Sequence, residues 1–193
     1  MATMFTSPQR WSIATVYPDM WVDPDDDPRN TDGHSHDGER ATLLSYLHDY
    51  RLTLDLKCQG LTLEQMMMLS VPPSTMSLLG LVRHMTEVER DWRNWITEGE
   101  SEPLIYGSLD AAFDLSDISP HPDEAVLTEA FDRLEQEQEA TDTEVSRHAD
   151  LGTHVGREDI AVREFVVHRI EEYARHCGHA DLLRECIDGR TGQ

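Results

Sequence analysis

Positive charge is scarce in this chain. Of its 193 residues only 16 are Lys or Arg, against 38 Asp or Glu, and the formal net charge is -22. Lysine is nearly absent: Lys57 stands alone, and every other basic residue is arginine, the bias of a GC-rich genome. Such a surplus of negative charge repels phosphate over most of the surface, which argues against nucleic acid as a partner. The same repulsion argues against an anionic membrane surface. Cysteine is scarce as well. Cys58, Cys177 and Cys186 are odd in number and irregular in spacing, so they do not read as a disulfide framework, and reduced thiols in a cytoplasmic protein are expected. Long apolar runs are missing too. The opening MATMFTSPQRWS lacks the apolar core of a signal peptide, and no stretch approaches the length of a membrane span. Sustained strand alternation, internal repeats and heptad runs are also wanting, which leaves helix as the dominant pattern.

Residues 1–38 are the exception to that pattern. YPDMWVDPDDDPRNTDGHSHDGE is rich in Pro, Asp and Gly, which break both helix and strand. Trp11, Tyr17, Met20 and Trp21 are large apolar groups in this arm, and they are expected to pin it onto the remaining domain, 39–193. His34 and His36 read as part of a solvated loop, since nothing nearby would orient them toward a metal.

Four long amphipathic segments follow. The first runs from about Gly38 to Cys58, with Leu43, Leu44, Leu47, Leu54 and Cys58 as its stripe and Gly60 as its stop. A short turn near Thr62–Met68 has Thr62 as a cap; Met66, Met67 and Met68 read as core filling. Pro72 and Pro73 delay the second long helix, which Ser74, Thr75 or Ser77 can cap. Its buried stripe is Leu78, Leu81, Val82, Met85, Val88, Trp92 and Trp95 or Ile96, and Gly99 ends it. His84 borders that stripe. A lone histidine there is more often a satisfied boundary residue than a ligand. Residues 100–121 read as a loop. The third long helix spans roughly Pro122 to His148, with its many Glu and Gln on a solvated face. A connector from Asp150 to Glu158 has room for a small hairpin at Gly152 to Gly156. The last helix covers about Asp159 to Ile187. Four such helices with little strand signal predict an all-α four-helix bundle.

The last helix carries the chemistry. Val162, Phe165, Val166, Ile170, Tyr173, Cys177, Ala180, Leu183 and Ile187 recur at helical spacing and, at about 100° per residue, form one broad apolar face. His176 falls inside that face and Glu172 at its margin, one turn earlier. An acid and a histidine four apart can grip one metal ion. They can equally be a carboxylate at the water line and a hydrogen-bonded core histidine. His168 and His179 lie further round the same side.

PPSTMSLLGLVRHMTEVERDW and HRIEEYARHCGHADLLRECIDGRTG resemble the DinB-like four-helix bundle superfamily, and within it the mycothiol-dependent branch. The likeness runs from about Asp37 to the C-terminus. It implies that a histidine of the second long helix, here His84, joins a pair four residues apart on the last helix to bind a divalent metal. That pair is often His and His. Here it reads Glu172 and His176, as in the similar mycothiol-dependent maleylpyruvate isomerases, and by analogy this favours zinc. The resemblance thus implies His84, Glu172 and His176 as metal ligands, acting in catalysis through the metal.

Two imidazoles and one carboxylate suit zinc, and three protein ligands leave a position open. A cation there stabilises a thiolate, the strong nucleophile that a free thiol of pKa about 8.5 supplies poorly at neutral pH. Cys177 adjoins His176 but points about 100° away round the helix, so packing is its expected role. An external low-molecular-weight thiol, mycothiol or a similar compound, is the better nucleophile. Arg83, Arg175, His179 and Asp181 are candidate contacts for that cosubstrate, with ordinary surface ion pairs as the alternative. His168 is either a neighbour of the ligands or a boundary residue.

The leading expectation is a metal-dependent thiol S-transferase that acts on a small electrophile, either a natural-product intermediate or a xenobiotic to be detoxified. The alternatives are a cis–trans isomerase of the maleylpyruvate type and a noncatalytic metal-binding stress-response bundle. A homodimer is an open option.

Overall fold

A computed structural model describes residues 21–30, 36–97, 100–119 and 122–192. It is an all-α protein with one small hairpin. The elements are α1 (Glu39–Cys58), the single turn α2 (Leu63–Met66), α3 (Leu78–Ile96), α4 (Ala125–Ser146), the strands β1 (His154–Val155) and β2 (Ile160–Ala161), and α5 (Val162–Asp188). Short 3-10 turns lie at Pro28–Asn30 and Ala111–Phe113. No helix among the described residues is long and apolar enough to cross a membrane.

The helix ends follow local chemistry. Thr62 and Gln65 form a reciprocal capping box at α2. Of the three candidate caps for α3, Ser77 does the work: its side chain accepts from the Gly80 backbone N–H at 3.1 Å, satisfying a donor the helix leaves unpaired. Gly189 ends α5 in the left-handed conformation, φ 81, which glycine adopts without a Cβ penalty. Gly99 lies outside the described residues, and α3 gives way at Thr97, its C-cap. The hairpin lies further along than expected. Its strands pair His154 with Ala161 and Val155 with Ile160, so the turn falls at 156–159, and α5 starts at Val162 because the two preceding residues belong to β2. Gly156 is required there twice over: its φ is +69, and a Cβ would lie 1.7 Å from the carbonyl oxygen of Trp95.

The long helices close a bundle. α1 packs on α5, and α3 packs on both α4 and α5. Their apolar stripes meet in one core that includes Leu47, Leu54, Leu81, Met85, Val88, Leu134, Phe165, Val166, Tyr173 and Leu183. Each fully buried Leu, Val or Phe of this kind contributes roughly 1.5–3 kcal/mol. Trp21 joins the bundle from the N-terminal side. It is buried, its indole N–H donates to the Leu56 carbonyl at 3.0 Å, and the Lys57 ammonium lies 3.8 Å from its ring centroid. Trp11, Tyr17, Met20 and His34 lie outside the described residues.

One expectation fails. The Glu-rich face of α4 is not wholly solvated, because Glu137 and Glu144 are buried. Glu137 pairs with Arg90 at 2.5 Å and Arg93 at 2.7 Å, and Gln138 donates to the Tyr173 hydroxyl at 2.9 Å. A composition rich in acid could not reveal which carboxylates meet an arginine from α3.

Candidate metal centre

The loop between α3 and α4 is built onto α3 by polar anchors. Glu87 is completely buried and accepts the backbone N–H groups of Ile105, at 3.0 Å, and of Tyr106. Arg83 grips Asp117 with two nitrogens, at 2.9 and 3.0 Å, and lies 4.1 Å from the Tyr106 ring centroid. These anchors bring the carbonyl of Leu109 to 2.9 Å from Nδ1 of His84. A carbonyl only accepts, so Nδ1 carries the proton and the lone pair sits on Nε2. Phe113 stacks on the same imidazole, with ring centroids 4.7 Å apart and planes at 25°. The ring is thereby held in one tautomer and one orientation, as metal-binding histidines usually are.

α5 supplies the rest. Residues 172 and 176 are one turn apart, so both face α3. The ring centroids of His84 and His176 are 4.6 Å apart, and Nε2 of His176 lies 3.4 Å from a Glu172 carboxylate oxygen. One ligand atom from each of His84, Glu172 and His176 lies within 4.8 Å of the others. His84 and His176 are buried and Glu172 is partly so. Burial holds both imidazoles in the neutral form. Desolvation pushes His84 below the usual histidine range, against the pull of its bond to Leu109. Desolvation and the neighbouring His84, His179 and Arg175 push His176 down to about 3. A His84 lone pair on Nε2, a second neutral imidazole and a carboxylate fit a divalent cation.

The other candidates fall around this centre. Nδ1 of His179 is 3.3 Å from Nδ1 of His176. Arg175 is exposed and pairs with Glu171 at 2.8 Å. Asp181 faces the opposite way and pairs with Lys57 at 2.6 Å. Arg83 is spent on Asp117. Nε2 of His168 is buried without a hydrogen-bond partner, 3.8 Å from Glu172, and its ring lies against Trp92 with centroids 3.7 Å apart. Cys177 points away from the centre: its thiol lies 3.5 Å from the Tyr50 carbonyl, and burial pushes it up to about 12.

A family model described as mycothiol-S-transferase matches residues 42–189. The chain belongs to that family. The match takes in most of α1 and all of α2 to α5, and with them the three converging residues and the loop that orients His84. It bears out the resemblance to the mycothiol-dependent DinB-like branch. No curated protein and no solved structure gave a significant match. Within this family member, sequence reasoning missed Leu109, Phe113 and Glu87. Leu109 acts through its backbone carbonyl, which every residue type carries, so no signal in the sequence could have singled it out. A Glu one turn after His84 on a largely apolar helix was a usable hint.

Proposed function

We propose that the protein is a metal-dependent S-transferase that joins mycothiol, or a similar low-molecular-weight thiol, to an electrophilic small molecule. The observation that carries this reading is the convergence of His84, Glu172 and His176 within 4.8 Å, in a chain of the mycothiol-S-transferase family. Two imidazoles and a carboxylate suit zinc, and three ligands leave room for a further donor. A divalent cation held there would supply the positive charge that favours the thiolate form of the cosubstrate at neutral pH.

The chain's own residues do the rest. His84 and His176 offer neutral nitrogen. Leu109 and Phe113 keep the His84 lone pair aimed. His179 holds the far nitrogen of His176, and Arg175, exposed nearby, contacts the polar sugar portion of the thiol. Arg83 and Asp181 already have ion-pair partners, so a cosubstrate contact from either displaces Asp117 or Lys57. The thiol sulfur attacks an electrophilic carbon of the acceptor. A carbon–sulfur bond forms, the leaving group departs with the bonding pair, and the thiol proton passes to solvent. No protein cysteine enters the reaction. The acceptor is a xenobiotic or a natural-product intermediate.

The test is to load the purified protein with zinc, add mycothiol and a panel of electrophiles, and follow thiol consumption and the S-conjugate by mass spectrometry. Conjugate formed only with metal and only with the three residues intact is the expected result. Full activity after removal of metal would refute the proposal.

A further inference from the structure

A cavity of about 480 Å³ opens beside the metal centre. Its walls come from the segment after α2 and from the loop that orients His84. Met67, Leu69, Phe113 and Leu115 make it apolar, and Asp110 and Asp114 are its only charged lining residues. Phe113 belongs to both sites: it lines the cavity and stacks on His84 at 4.7 Å. Asp110 follows directly on Leu109, whose carbonyl holds His84. Leu69 is exposed, a leucine at an open rim. No basic side chain lines the cavity among the described residues. The nearest arginine in sequence to His84 is Arg83, and Asp117 neutralises it at 2.9 Å.

We propose that this cavity is the acceptor subsite, and that it takes a small apolar electrophile free of anionic groups, with preference for one that carries a cationic substituent. The proposal rests on the transferase reading given above. Its chemistry is complementarity. An apolar body loses water against Met67, Leu69 and Phe113. A carboxylate brought between Asp110 and Asp114 meets like charge with no basic side chain in the cavity lining to compensate it, in a chain whose net charge is already -22. Anionic acceptors of the maleylpyruvate kind are therefore poor substrates here.

Binding and turnover test it separately. For binding, (4-methylbenzyl)trimethylammonium and 4-methylphenylacetate, which do not react with thiols, are titrated calorimetrically into the full chain at low ionic strength. The cation should bind about tenfold more tightly than the anion. The Asp110→Asn/Asp114→Asn double variant should bring the two to within about threefold, and Leu69→Asn should weaken both alike. All three positions are exposed, so folding is not at stake. Absence of binding, equal affinities, or a preference that survives the double substitution would overturn the proposal. In the last case the charge of the whole protein, not the cavity, would be selecting.

For turnover, zinc-loaded protein and mycothiol are given matched benzyl bromides bearing hydrogen, carboxylate or trimethylammonium at the para position. Sulfur displaces bromide, a carbon–sulfur bond replaces carbon–bromine, and the thiol proton goes to buffer. A kcat/KM about tenfold higher for the cationic than for the anionic bromide is expected. Turnover indifferent to charge overturns the acceptor assignment and leaves the transferase reading standing. Cation-selective binding with no bromide consumed above the protein-free rate removes the transferase reading, and the acceptor role with it.

Discussion

Two polar clusters are built from the same pair of helices, little more than a turn apart, and they are opposite in kind. In one, His84 of α3 meets Glu172 and His176 of α5. In the other, Glu89 of α3 is completely buried, takes Arg51 of α1 at 2.9 Å, and accepts from the hydroxyl of Tyr173 on α5 at 2.9 Å. Arg51 also reaches Asp142 of α4 at 2.8 Å. The second cluster brings acid to base, although the other Glu89 oxygen and two nitrogens of the neighbouring Arg169 are buried without a hydrogen-bond partner. The first is two neutral imidazoles and a carboxylate, with no Lys or Arg among its three residues. Burial penalises both, and only the second has guanidinium groups set against its carboxylate. The difference makes the first the candidate place for an outside cation and the second a structural clamp across α1, α3, α4 and α5.

The largest effect expected from this contrast is functional. His84→Ala should lower metal content and S-conjugate formation by at least about 100-fold, with a native circular dichroism spectrum. Metal analysis and mass spectrometry read this out. Normal metal content in the variant would make the two clusters alike.

The mirror-image substitution is Glu89→Ala. It leaves Arg51 with Asp142 alone, and the buried Arg169 and the Tyr173 hydroxyl without their carboxylate, and should cost about 3–5 kcal/mol of stability in urea unfolding. The folded fraction should still take one metal per chain. Loss of metal at full folding would show that the clamp belongs to the metal site.

The clusters should also part company with pH. In metal-free protein, His176 stays neutral down to about 3, whereas an unfolded histidine protonates near 6.5. The unfolded chain thus binds more protons between those values, and this contribution to stability is lost as pH falls below about 6.5. Asp55, in the groove between α1 and α4, is pushed the other way, up to about 6, by burial and by Glu135. Its penalty grows as pH rises from about 4 to 6. His176→Gln should therefore flatten the acid limb of the urea midpoint against pH. Asp55→Asn should raise the midpoint at pH 8 and do little at pH 4. An acid limb unchanged in His176→Gln would contradict the neutral, buried imidazole.

The smallest effect belongs to Cys177→Ser. Because that thiol is buried, lies by Tyr50 and is pushed up to about 12, turnover should change by less than about twofold, since little thiolate exists to be lost. Abolished turnover with unchanged metal content would replace the external thiol with a protein-thiol mechanism.

Much of this was legible before any coordinates. The 3.6-residue apolar period located four helices within a few residues, and Ser77, Thr62 and Gly60 punctuate them as local chemistry demands. Glu172 and His176 stood out because their spacing is intrinsic to one helix. His84 was weaker, since a single histidine beside an apolar stripe has no partner within its own helix; family resemblance, not periodicity, connected it to α5. Arg169 is the converse case. It is fully buried beside Glu89 and bonded to the Val88 carbonyl, yet its position on the apolar face of α5 gave no hint of what would receive its charge.

The sequence by itself determined the helices, their inward faces, the acidic surface and the pair on α5, because each depends on residues near one another in the chain. Only the tertiary structure decided which polar groups meet. It set His84 between Leu109, Phe113 and α5, turned Arg83 to Asp117 and Asp181 to Lys57, and opened an apolar cavity against Phe113. Those outcomes depend on the packing of elements distant in sequence, where a shift of one helical turn exchanges one set of partners for another.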